Sequence, residues 1–139
     1  MEEHYLLDTN ILSELRKGER ADAGLMDWFV IADESALFVS ALTIGEIQKK
    51  IVRIRRRDPI QARNLEIWLE KMETFYGDRI LPVDREVARR WGELQGGSRQ
   101  WPAIDALIAA TAAEHGLTLV TRNESDFEGI GIGVLNPFD

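Results

Sequence analysis

The chain predicts an α/β fold in which a parallel sheet is covered by helices on both faces. Short apolar runs alternate with helical patterns along the whole sequence, the arrangement that builds parallel sheets through helical crossovers. Three of those runs are followed closely by a polar stretch that carries an acid. One helix, between Pro102 and Gly116, is apolar on more than one side and reads as buried. A chain of 139 residues is most simply one domain, here 1–139, and such a length buries roughly two-thirds of its unfolded surface.

Tyr5-Leu6-Leu7 is the first strand and gives out at Asp8-Thr9-Asn10. A helix follows, with Ile11, Leu12 and Leu15 on one side and Ser13, Glu14, Arg16 and Lys17 on the other. Leu25 to Ile31 reads as a second short helix, and Ala36 to Ser40 as the second strand. Thr43-Ile44-Gly45-Glu46 opens a long helix to about Arg56, and Thr43 and Glu46 have capping-box spacing. Ile60 to Tyr76 is amphipathic, with Leu65, Trp68, Leu69, Met72 and Phe75 at helical spacing. Ile80 to Val83 is a brief strand whose Pro82 fits a sheet edge. Asp84 caps a helix to Gln95 that turns Val87, Trp91 and Leu94 inward. Pro102 suits the first turn of the apolar helix and Gly116 its stop. Leu117 to Val120 is a strand, and Ile130 to Leu135 a weaker one.

Composition narrows the function classes. Cysteine is absent and there are two histidines, so disulfides and thiolate metal sites are excluded and a histidine-based zinc site is poorly supplied. A net charge of −7 argues against coating nucleic acid non-specifically, but not against cutting it at an acidic, metal-loaded site. No apolar run approaches the roughly 20 residues of a membrane span. The start, Met1-Glu2-Glu3-His4, lacks a signal-peptide pattern, so a cytoplasmic protein is expected.

Right-handed crossovers bring the C-terminal ends of all parallel strands to one edge. Asp8, Glu46 and Asp126 each follow a strand, and Asp105 lies in the first turn of a helix whose N-terminus points to that edge. Each has an ordinary alternative: Asp8, Thr9 or Asn10 as an N-cap, Glu46 as a capping glutamate. Together, four converging carboxylates would repel one another unless a cation resolved the charge. Oxygen ligands without Cys or His favour Mg²⁺ or Mn²⁺. Such metals, held by carboxylates, polarise phosphodiesters for hydrolysis.

Asp8-Thr9-Asn10 after an apolar strand, Glu46 after Ser40-Ala41-Leu42-Thr43, Asp105 in Pro-Ala-Ile-Asp-Ala-Leu-Ile-Ala, and Thr121-Arg122-Asn123-x-x-Asp126-Phe127 resemble PIN-domain ribonucleases. The resemblance is greatest to the VapC-type and FitB-like toxins of bacterial toxin–antitoxin pairs, and covers Leu6 to Phe138. It implies a sheet in the order 3-2-1-4-5 and a Mg²⁺- or Mn²⁺-dependent endoribonuclease that hydrolyses RNA as the toxin of a type II pair. Carried over by position, Asp8, Glu46, Asp105 and Asp126 are the catalytic and metal-binding acids, with Asp126 binding a second metal or acting through water. Thr9, Asn123 and Thr121 would orient carboxylates or the attacking water. The resemblance also implies a homodimer and a basic, DNA-binding antitoxin, and we expect that antitoxin to insert an Arg at the acids.

Two other classes compete. A phosphatase of the haloacid-dehalogenase type also begins with a strand ending in Asp, but its second Asp falls at Asn10 here. A non-catalytic subunit of a DNA-binding toxin–antitoxin complex would not require the four acids. Arg53, Arg55, Arg56 and Arg57 form a basic run that reads either as a solvated helix end or as an RNA-backbone contact.

Overall fold

The structure is a computed structural model, described here for residues 3–138. Five parallel strands, β1 (Tyr5–Leu7), β2 (Leu37–Ser40), β3 (Ile80–Leu81), β4 (Thr118–Val120) and β5 (Val134–Leu135), stand in the order β3-β2-β1-β4-β5. Tyr5, Leu6 and Leu7 pair with Thr118, Leu119 and Val120, and Leu6 also pairs with Phe38. The chain builds outward from β1 in one direction through β2 and β3, then returns to the other side of β1 with β4. The crevice between β1 and β4 is therefore the point where strand order reverses, the usual ligand position in open parallel sheets.

Six helices surround the sheet: α1 (Thr9–Leu15), α2 (Ala23–Ile31), α3 (Ala41–Arg55), α4 (Pro59–Tyr76), α5 (Arg85–Gln95) and α6 (Ala103–His115). Strand alternation divides the core between the two faces. Leu7, Leu37, Val39 and Val120 pack on the α1–α4 side, while Leu6, Leu81 and Leu119 pack on the α5–α6 side. Leu6, Leu7 and Leu119 are fully buried, each worth roughly 1.5–3 kcal/mol against exposure. α6 is as apolar as expected, with Ala106, Ile108, Ala109, Ala110, Thr111 and Ala112 buried. Gly116 ends it in the left-handed region at φ 65°, where a side chain would be strained.

Several boundaries differ from expectation. β2 begins at Leu37, because Glu34–Ala36 forms a 3₁₀ turn whose start is capped by Asp33. β3 stops before Pro82, which cannot donate to a ladder, and lies at the sheet edge as predicted. Pro102 is the cap residue of α6 rather than part of its first turn. Along α4, Leu65, Leu69 and Met72 are buried in the core of the chain itself. Phe75 is 48% exposed while its neighbour Tyr76 is buried instead, with its hydroxyl pushed up to about 12 chiefly by burial.

Candidate functional site

Asp8 leaves β1 at the crevice, its backbone N–H donating to the carbonyl of Val120 at 2.9 Å. It is the N-cap of α1: its Oδ1 accepts from the Thr9 N–H at 2.8 Å. The N-cap reading and the functional reading are thus compatible, because Oδ2 is left to other partners. Thr121, fully buried just past β4, donates its hydroxyl to Asp8 Oδ2 at 2.9 Å. Asn10 donates Nδ2 toward Asp8 Oδ2 at 3.3 Å and to Thr121 Oγ1 at 3.1 Å. Its Oδ1 accepts from the Arg122 N–H at 3.0 Å, and the Asn123 N–H donates to Thr121 Oγ1 at 3.1 Å. One small network therefore fixes both the Asp8 carboxylate and the loop after β4.

Glu46 is not a capping glutamate. The N-cap of α3 is Ser40, whose Oγ accepts from the Leu42 N–H at 3.0 Å, so α3 starts two residues before Thr43 and Glu46 falls in its second turn. Its Oε1 instead accepts from the Thr9 hydroxyl at 2.7 Å. The buried hydroxyl of Thr43 lies 3.1 Å from that same Thr9 oxygen. Asp105 is carried in by the first turn of α6.

Asp8, Thr9, Asn10, Glu46, Asp105 and Asn123 line one cavity of about 620 Å³. Burial raises the Asp8 carboxyl above its ordinary range, opposed by the hydrogen bonds from Thr121 and Thr9, with Glu46 adding to the rise. Asp105 is likewise held above its ordinary range, first by burial and then by Asp8, Asp126 and Glu46. Among the described residues, none of these four acids forms an ion pair with Lys, Arg or His. Their orienting groups are uncharged hydroxyls and amides, so the negative charge of the cluster is not neutralised from within.

The donor set suits a hard divalent cation, since it offers carboxylate oxygens and no sulfur or imidazole. Among the described residues, however, no three Asp, Glu or His side chains stand close enough together, as placed, to hold a metal ion. Asp8, Glu46 and Asp105 instead stand around a shared cavity, with Glu46 anchored by Thr9 and Asp8 by Thr121.

Asp126 is the outlying acid. It lies exposed in the 3₁₀ turn Glu124–Phe127, is not among the residues lining the cavity, and reaches Asp105 through its charge. Arg55 is paired with Glu66, which also takes Arg63, and Arg56 and Arg57 lie exposed at the end of α3. Arg53 lines an adjoining groove of about 610 Å³ that shares Glu46 and Lys50 with the acid cavity. Sequence reasoning missed Asn10 as an orienting group and five cations, Arg16, Lys17, Arg20, Lys50 and Arg122, on the rim of the acid cavity. A signal for them existed: Arg16 and Lys17 end the helical segment that Asp8 begins, Arg20 follows in the next turn, and Lys50 is one turn beyond Glu46.

Comparison with known proteins identifies the fold family. The PIN domain family model matches residues 5–132. A VapC ribonuclease, Y4jK, of Sinorhizobium fredii is 31% identical over 96% of this chain and 97% of its own length. The crystal structure of FitAcB from Neisseria gonorrhoeae superposes with a TM-score of 0.85 at 28% identity, covering 96% of this chain and 97% of that one. A toxin–antitoxin complex from Klebsiella pneumoniae superposes with a TM-score of 0.67 at 28% identity, covering 97% and 98%. The chain belongs to the PIN-domain family.

Proposed function

We propose that this chain is a Mg²⁺- or Mn²⁺-dependent endoribonuclease acting as the toxin of a type II toxin–antitoxin pair. The observation that carries this reading is the gathering of Asp8, Glu46 and Asp105 from three separate elements into one cavity, with no cationic side chain among the described residues paired to any of them. When bound, a divalent cation supplies the positive charge that polarises a phosphodiester and favours deprotonation of an attacking water. Asp8, Glu46 and Asp105 would hold it, and Asp126, outside the cavity lining, would serve through a second cation or through a water. Thr9 fixes the rotamer of Glu46, while Thr121 and Asn10 fix that of Asp8. Asn123 reaches the cavity from the loop after β4, where its side chain can orient a water or a phosphate oxygen.

The similarity to a protein named a VapC ribonuclease and to a toxin–antitoxin complex supports RNA as substrate and an antitoxin as partner. The groove beside the acids is lined by Leu42, Pro82, Val83 and Ile104 and opens onto Glu46. It suits an apolar segment of a basic, DNA-binding antitoxin, with an Arg forking onto the carboxylates in place of a cation. A homodimer also belongs to this reading. Its seam would use the apolar side chains the protomer core leaves outside between Thr43 and Tyr76, namely Val52, Ile60, Ile67 and Phe75. Light scattering at micromolar concentration that shows only monomer would contradict the dimer.

Cleavage of RNA by the purified protein in Mn²⁺ but not in EDTA tests the nuclease, with a small phosphomonoester as the competing substrate. Release of phosphate from the monoester with intact RNA would replace the nuclease by a phosphatase.

A further inference from the structure

Five cations rim the acid cavity of a chain whose net charge is −7. Three of them, Arg16, Lys17 and Arg20, come from the corner where α1 ends and the 3₁₀ turn Gly18–Arg20 begins. Lys50 stands on α3 one turn beyond Glu46, and Arg122 follows β4. Among the described residues, Arg16, Arg20, Lys50 and Arg122 form no ion pair, although acids line the same cavity. They are therefore not the internal counter-charge of the carboxylates. Apart from the influence of Arg122 on the Glu14 carboxylate, their charge is left for an anion from outside.

The corner is also held in place. Glu14 is buried at the end of α1, and its Oε2 accepts from the Asp22 N–H at 2.9 Å while its Oε1 meets Lys17 Nζ at 2.8 Å. That clamp closes the turn between Lys17 and Asp22 back onto α1, so the backbone carrying Arg20 is fixed relative to Asp8. Arg16 lies with its guanidinium 5.8 Å from the centroid of Trp68, which lines a small adjoining recess. At 1.5 Å per residue, Arg16 is roughly 12 Å along α1 from Asp8. The bank is thus beside the acids and not among them. By contrast, Arg55 at the end of α3 is already neutralised by Glu66, and Arg56 and Arg57 line neither cavity.

We propose that the α1 corner, Arg16, Lys17 and Arg20, with Lys50 and Arg122, is the bank that binds the phosphates flanking the scissile bond of a single-stranded RNA. The proposal rests on the nuclease reading and deepens it by assigning the strand's path. The acids repel a polyanion, so the flanking phosphates must be held by positive charge set a short distance away. Such interactions position the strand without reading its sequence. Glu14 acts as a positioning residue for the bank.

The test is binding of a short labelled single-stranded RNA, followed by fluorescence anisotropy in EDTA across a KCl series. Removing one cation that neutralises a phosphate flattens the dependence of log affinity on log salt by about 0.7 for single strands. Arg16→Gln/Arg20→Gln is expected to lower the slope by about 1.4, and in Mn²⁺ to raise KM with kcat little changed. Arg56→Gln/Arg57→Gln, the competing placement, is expected to leave the slope as in the wild type. Both pairs are exposed, and melting curves verify that each variant folds. An unchanged slope in the α1 pair, or a decrease carried by the α3 pair instead, overturns the proposal. So does a fall in kcat at constant KM. If the wild type neither binds nor cuts RNA, the nuclease reading fails with it; if it cuts RNA while the α1 pair behaves as wild type, only the bank is wrong.

Discussion

The hydroxyl of Thr9 donates to Glu46 Oε1 at 2.7 Å, tying the first residue of α1 to a carboxylate 37 residues further along the chain. Thr9 follows Asp8, so one turn of backbone sets both acids: Asp8 through its cap and Glu46 through this bond. An ionised acceptor makes the bond charge-assisted and short.

Removing that hydroxyl should release Glu46 without emptying the space. Thr9→Val is expected to lower Mn²⁺ affinity or cleavage roughly 10- to 100-fold, the usual cost of losing a group that orients a ligand. Thr9→Ser, which keeps the hydroxyl, should recover most of it. Equal activity in Thr9→Val and wild type would show that Glu46 needs no such support.

Asp105 offers a stability readout independent of turnover. Burial, followed by Asp8, Asp126 and Glu46, holds its carboxyl above the ordinary range. A raised folded value means that ionisation near neutral pH weakens the metal-free fold, and that this cost disappears as pH falls and the group protonates. Asp105→Asn removes the charge, so its melting temperature in EDTA at pH 7 should exceed that of the wild type by a few degrees. Added Mn²⁺ should raise the wild type and affect the variant less. A lower melting point for Asp105→Asn in EDTA would mean that its carboxylate stabilises the empty site.

Glu14 shifts in the opposite direction. Its partners, Lys17 first and then the Asp22 N–H, hold its carboxyl below the ordinary 4.5 against the opposing effect of burial. As pH falls, the unfolded chain takes up that proton before the folded one does. The contribution is therefore full above pH 4.5 and declines as pH drops through the lower folded value. Glu14→Gln should melt below wild type at pH 7, and the gap should narrow on acidification under pH 4.5. A gap that stays constant with pH would assign the loss to packing rather than charge.

The proposed antitoxin contact can be tested with a peptide. A partner segment that is apolar along one face and ends in Arg should suppress RNA cleavage by filling the groove beside Glu46 and placing its guanidinium among the acids. The same peptide with Arg→Ala should inhibit far less. Equal inhibition by both would place the block on RNA access elsewhere.

Much of the fold is legible in the sequence because its signals are local. The alternation of strands and helices, the burial of α6 and the stop at Gly116 follow from periodicity and turn chemistry within short windows. The cap of α3 misleads because Thr43 and Glu46 satisfy the capping-box spacing, while Ser40, at the end of a strand, takes the cap three residues before Thr43. Phe75 and Tyr76 are adjacent, and helical spacing alone cannot decide which of them turns inward at the end of α4. In the site, the acids can be singled out because each follows a strand or opens a helix. Thr121 is less visible as a partner of Asp8, and Asn10 as a partner of Thr121, because these contacts join the end of β1 to a loop more than a hundred residues later. The basic rim is hidden by a more conspicuous run at Arg53–Arg57, whose sequence density exceeds its proximity to the acids.

The central claim is that Asp8, Glu46 and Asp105 act as one metal-dependent centre for cutting RNA. The direct measurement is RNA cleavage by Asp8→Asn, Glu46→Gln and Asp105→Asn, each with Mn²⁺ and with EDTA, with a melting curve on the same preparations. Each variant is predicted to remain folded and to lose at least about 100-fold in cleavage, the scale of removing an acid–base or charge-stabilising group. The wild type is predicted to cut in Mn²⁺ and to stop in EDTA. A folded variant that cleaves at the wild-type rate, or a wild type that cuts equally in EDTA, would contradict the account.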